Sequence, residues 1–149
     1  MDIKGLHINV TNKKESHLVQ DIFLYFGAYW MWKDENEIED DITFNGMFTY
    51  PRCLFIDEQG YIDVKNAVNR YEENISLAML IETYNTAKYK KEIEEFLTDK
   101  EKESDDYLIN ITKDSIEIEW KNNKYTTDTK TNYKYNMETL MFLKGLLSK

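Results

Sequence analysis

Hydrophobic and polar positions alternate from the start of the chain. Gly5-Leu6-His7-Ile8-Asn9-Val10 has the period of two expected of a half-buried strand. Asn12 with Glu15 three residues later forms a capping-box start to a helix. Leu18, Val19, Ile22, Phe23 and Phe26 then recur at helical spacing, and Gly27 stands where that helix should end. Ala28-Tyr29-Trp30-Met31-Trp32 reads as a second strand. The eight residues from Asp34 to Asp41 carry six carboxylates and no apolar period, which predicts a solvated loop. Beyond it, Arg52 to Asp57 and Tyr61 to Val64 flank Glu58-Gln59-Gly60, a hairpin signal.

The second half has a different rhythm. Leu77, Leu80, Ile81 and Tyr84 predict a helix; Tyr89, Ile93, Phe96 and Leu97 either continue its face or begin another helix after Asn85-Thr86. A charged connection from Glu101 to Asp106 leads to two alternating strands, Tyr107 to Ile111 and Ile116 to Trp120, around Lys113-Asp114-Ser115. Asn122-Asn123 turns the chain into a third strand, Lys124 to Thr127, and Asn136 caps a last helix with Leu140, Phe142, Leu143 and Leu147 on its face. The order βαβββ followed by αβββα predicts an α+β fold, mainly antiparallel sheets with helices packed on one face. Residues 1–70 and 71–149 are the expected modules, whether as two small domains or as one continuous domain.

Composition bounds the function. The 149 residues are 42% apolar and 14% aromatic, enough for a packed core. No apolar run approaches the ~20 residues that cross a bilayer, and the first residues lack the pattern of a secretory signal. Cys53 is the single cysteine, so no internal disulfide forms, and its strand-like setting suits a small core residue. A soluble, cytoplasmic protein is expected. The net charge of −9 is uneven: residues 1–75 hold 7 basic against 14 acidic side chains, and residues 76–149 hold 12 against 14. Such a balance weighs against direct binding to nucleic acid or membranes and favours a partner protein with a basic surface. Lysine outnumbers arginine 17 to 2 and there is one proline, a usage shaped by AT-rich codons, which points to a low-GC bacterium or its phage.

One resemblance bears on the setting. Ile8-Asn9-Val10-Thr11, Ser16, Val19-Gln20, Phe23, Phe26-Gly27 and Trp30, with Leu54-Phe55-Ile56-Asp57 and Gly60-Tyr61-Ile62, resemble an opening module of small uncharacterised bacteriophage accessory proteins, over residues 5–65. The resemblance implies a phage accessory protein acting in the host cytoplasm, and it supplies no active site.

Candidate chemistry is sparse. His17 and Asp21 lie one helical turn apart, but a metal site or general base would need further ligands, and His7 is the only other histidine. Asp57-Glu58-Gln59-Gly60-Tyr61-Ile62-Asp63 is rich in oxygen ligands, yet its flanks and spacing are those of a hairpin, not a calcium loop. Cys53 has no histidine near it in sequence, and no glycine-rich phosphate loop occurs. No enzyme activity, cofactor or metal is therefore expected.

The sharper candidate is the acidic loop. Asp34, Glu35, Glu37, Glu39, Asp40 and Asp41, beside the aromatic anchors Tyr29, Trp30 and Trp32, would present carboxylates where a partner normally receives phosphates. The leading expectation is a phage-type acidic protein that inhibits a host protein by steric and electrostatic occlusion. The target would be a nucleic-acid-handling or anti-phage defence enzyme, as for an anti-CRISPR protein. The alternatives are a sponge for a nucleotide signal, using Arg52, Arg70, Lys124 and Tyr125, and a phage structural or assembly protein.

Overall fold

The computed structural model describes residues 2–34, 37–39, 43–44, 47–48, 50–123 and 126–148. The chain divides into two compact units, Met1–Ile81 and Glu82–Lys149, so the division falls inside a helix and not at residue 70.

In the first unit, Asn12 Oδ1 accepts the Glu15 N–H at 2.9 Å, while Glu15 Oε2 accepts from the Thr11 N–H and hydroxyl, both at 2.8 Å. The reciprocal cap satisfies amide groups that the first helical turn leaves free and fixes the start of α1 (Lys13–Tyr25). Gly27, at φ +94°, ends the helix: its N–H and that of Ala28 return to the Leu24 and Phe23 carbonyls, both at 3.0 Å. Around α1 run β1 (His7–Val10) and β2 (Tyr29–Trp30), followed by a short hairpin, β3 (Thr43–Phe44) and β4 (Met47–Phe48), which the sequence pattern did not predict. Then come β5 (Arg52–Ile56) and β6 (Tyr61–Asn66).

The main sheet has the order β1-β5-β6-β2. β5 pairs antiparallel with β1 and β6, whereas β2 pairs parallel to β6. The two strands joined by α1 therefore lie at opposite edges, with the β5–β6 hairpin inserted between them. Its turn is held by Asp57, whose Oδ1 accepts from the Gln59 and Tyr61 N–H groups at 2.9 Å, with Gly60 at φ +95°. That carboxylate serves the hairpin. Ile8, Val10, Leu54, Ile56 and Ile62 from the sheet and Val19, Ile22 and Phe23 from α1 are all buried. Leu18, expected on the core face, is 37% exposed, while the polar Ser16 and Gln20 are fully buried in its stead.

Sheet edges expose unpaired amides, and this unit closes one with side chains. Along the outer edge of β1, Asn74 Oδ1 accepts the His7 N–H and Glu73 Oε2 the Asn9 N–H, each at 2.8 Å. Asn9 answers with its own amide, donating to the Val68 carbonyl at 2.7 Å and accepting the Val68 N–H at 3.0 Å. The segment after β6 is thereby strapped along β1 without forming a strand.

One continuous helix, α2 (Leu77–Leu97), runs through Asn85-Thr86. The second unit holds an antiparallel meander of β7 (Tyr107–Ile111), β8 (Ile116–Asn123) and β9 (Thr126–Tyr133), followed by α3 (Met137–Leu146). The third strand runs over 126–133, past the expected end at Thr127, because Thr129, Thr131 and Tyr133 continue a period of two; Lys124 and Tyr125 of the expected strand lie outside the described residues. Ile93 and Leu97 of α2, Ile109, Ile116 and Ile118 of the sheet, and Leu140 and Leu143 of α3 form one buried cluster. Asn136 caps α3 as its side chain accepts the Thr139 N–H at 2.8 Å. An α+β fold with two mostly antiparallel sheets results. Among the described residues, no helix is long and apolar enough to cross a membrane.

Replacing Asn9 by Ala removes both bonds to Val68 and should lower stability by about 1–2 kcal/mol in urea unfolding. Asn85→Ala, at an exposed position of α2, should change it by less than about 0.5 kcal/mol.

Candidate protein-binding site around Trp30 and Trp32

β2 ends at Trp30, and the chain turns at once, with the Lys33 N–H bonded to the Trp30 carbonyl at 3.2 Å. This early turn separates two tryptophans that a continued strand would place on one face. Trp30 is fully buried; Trp32 is 60% exposed and Met31 67%. The indole rings still touch, with centroids 5.1 Å apart and planes tilted by 40°.

A buried indole N–H needs an acceptor, and Gln20 supplies it: Trp30 Nε1 donates to Gln20 Oε1 at 2.8 Å. The same oxygen accepts the Glu39 N–H at 2.7 Å, and Gln20 Nε2 donates to the Glu39 carbonyl and the Ser16 hydroxyl, each at 3.0 Å. One side-chain amide therefore ties α1, β2 and the far end of the acidic segment together. The Glu39 side chain closes the arrangement by accepting from Trp32 Nε1 at 3.1 Å and pairing with Lys33 Nζ at 3.7 Å. Trp32 is held on its inner side by a ring and a hydrogen bond while more than half its surface faces outward.

The predicted acidic residues thus divide. Asp34 and Glu37 are exposed, and the Glu37 N–H meets the Asp34 carbonyl at 3.2 Å. Glu39 is half-buried, and its carboxylate serves the protein itself. Glu35, Asp40 and Asp41 lie outside the described residues. Among the expected anchors, Trp30 is corrected to a core residue, because no part of it reaches the surface. Tyr29 is half-buried and meets Tyr61 edge-on at 5.3 Å beside a cleft of about 260 Å³ that Lys4 and Gln59 also line. Of these three anchors Trp32 alone keeps a largely exposed ring, joined by Met31, a residue the sequence reading left out of the site.

The residues considered for a small ligand have separate surroundings. Arg52 is buried and donates to Asn66 Oδ1, whereas Arg70 is exposed and lies over the ring of its neighbour Tyr71 at 5.1 Å. Lys124 and Tyr125 lie outside the described residues. His17 is half-buried on α1 and Asp21 is exposed. Cys53 is fully buried, and burial pushes its thiol pKa up, opposed in part by the charge of Lys65. A raised pKa is the reverse of what activates a nucleophilic cysteine.

The sequence reading missed Gln20 and Ser16. The available signal was their spacing: both are polar, four residues apart, on the face of α1 that also carries Val19 and Phe23. Comparison with protein-family models, with curated proteins and with solved structures gives no match.

Three outcomes follow from these observations. Gln20→Leu strands the Trp30 indole N–H and both Glu39 backbone groups, and denaturant unfolding should show a loss of about 2–4 kcal/mol. The folded state holds the Cys53 proton more tightly than the unfolded chain does. Its contribution to stability is therefore complete below the ordinary thiol value of 9.0 and declines as pH rises through the raised one. Iodoacetamide should label Cys53 slowly in the native protein at pH about 8 and fully in denaturant; equal rates would contradict the burial.

Proposed function

We propose that this chain is a protein-binding inhibitor that docks on a basic surface of a host protein through Trp32 and Met31, with Asp34 and Glu37 orienting the approach. The observation that carries the proposal is the exposed Met31–Trp32 pair, whose tryptophan is fixed from beneath by Trp30 and Glu39. Tryptophan is the side chain most enriched among residues that dominate binding energy. One that is already immobilised loses little conformational freedom on binding. Carboxylates beside it speed encounter with a cationic partner and set its orientation more than they add affinity.

The surplus of 14 acidic over 7 basic side chains in residues 1–75 supports the same choice of partner. Together with the likeness of residues 5–65 to small phage accessory proteins, it supports a setting inside an infected bacterium. There the target is a nucleic-acid-handling or anti-phage defence enzyme, and inhibition is of the anti-CRISPR kind, by occlusion of a basic channel. Binding is the proposed activity, with no reaction, cofactor or metal assigned.

Affinity capture from a low-GC bacterial lysate, run in parallel with wild type, Trp32→Ala and Asp34→Asn/Glu37→Gln, tests the proposal. A protein retained by wild type should be lost with Trp32→Ala, which should weaken binding by roughly thirtyfold or more. The double variant should mainly slow association and flatten the salt dependence. Retention by Trp32→Ala equal to wild type would place the binding surface elsewhere.

A further inference from the structure

Each of the two larger sheets has two edges, and three of those four edges are closed or very short. The outer edge of β1 is bonded to Asn74 and Glu73. β2 is only two residues long. In the second unit, β7 is covered by the segment before it: the Ile109 N–H donates to the Lys102 carbonyl at 2.6 Å, the Ser104 N–H to the Tyr107 carbonyl at 2.9 Å, and Glu103 bridges Leu108. The fourth edge is β9, eight residues long and last in its sheet. Thr129, Lys130, Thr131 and Asn132 are all exposed, and among the described residues no other segment bonds to their outer edge.

A lysine on an edge strand ordinarily repels an incoming strand. Lys130 is the one charge in Thr129–Asn132, and its ammonium is turned back onto β8, 3.1 Å from Glu117 and 3.9 Å from Glu119. The run Thr129–Asn132 is thereby left exposed, with its one charge already paired on its own sheet.

We propose that β9 is a self-association edge on which a second copy of this chain adds its own β9 antiparallel, with the two-fold axis at Thr131. In that register Lys130 of one copy faces Asn132 of the other, so no like charges meet across the junction. Thr129 of one copy falls opposite Tyr133 of the other, whose ring is stacked on Phe142 at 5.1 Å beside a cleft of about 340 Å³. A β-branched side chain against an aromatic one is a favourable cross-strand pair. The two three-stranded sheets become one six-stranded sheet, and both exposed edges disappear.

Charge selects a second copy over a strongly charged partner strand. The second unit, which carries β9, holds 12 basic against 14 acidic side chains, while the surplus of acid lies in the first unit. Two copies meeting through this unit bring together surfaces whose own net charge is small.

Sedimentation equilibrium of the full chain over the micromolar range tests this, with Thr131→Lys and, under mild oxidation, Thr131→Cys and Asn132→Cys. The expected result is a wild-type dimer whose dissociation constant rises roughly tenfold or more in Thr131→Lys, where two lysines face each other on the axis. Thr131→Cys should cross-link, since partners on the axis lie within disulfide range. Asn132→Cys, displaced from its own copy by two positions, should not. A monomer at every concentration would overturn the proposal. So would a dimer indifferent to Thr131→Lys, or cross-linking through residue 132 in place of 131.

Discussion

Trp30 places a fully buried indole in the first unit, and its N–H has to find an acceptor there. The acceptor is the Gln20 side chain, which also meets the N–H and carbonyl of Glu39. A buried amide can be accommodated only when its donors and acceptor are all engaged. Gln20 therefore fixes three separate stretches of chain at one point: the middle of α1, the end of β2, and the return of the acidic segment. The outward presentation of Trp32 depends on that point, because its indole bonds to the side chain of the same Glu39.

The acidic segment consequently has two kinds of carboxylate. Glu39 is turned toward Trp32 and Lys33, and its charge is partly compensated. Asp34 and Glu37 remain exposed. A count of acids along the sequence treats these positions alike, whereas the fold makes one a fastening and leaves two available to a partner. The same distinction holds for the tryptophans, one being core and the other surface, two residues apart.

Edge management is the second theme. β1 is closed by Asn74 and Glu73, and β7 by the backbone of Lys102 and Ser104. These closures use quite different chemistry to give outward backbone groups of an edge strand a partner. Against them the open run of β9 stands out, the more so because its lysine is drawn onto β8. An exposed edge whose lysine is drawn back onto its own sheet is a surface to which another strand can be added.

Several features followed from local sequence because the interactions that set them are local. The caps at Asn12 and Asn136, the stop at Gly27 and the Asp57–Gly60 turn each involve groups within a few residues of one another. The alternation in Tyr107–Ile111 and Ile116–Trp120 and the uneven charge were legible in the same way. Tertiary structure decided what depends on partners distant in the chain. Leu18 could be exposed and Gln20 buried only because Trp30 and Glu39 came to meet the amide. The parallel pairing of β2 with β6 and the strap over β1 likewise join residues more than thirty positions apart. Periodicity gives the face that a side chain occupies; whether that face meets solvent, a core or another strand is set by contacts that no local pattern encodes.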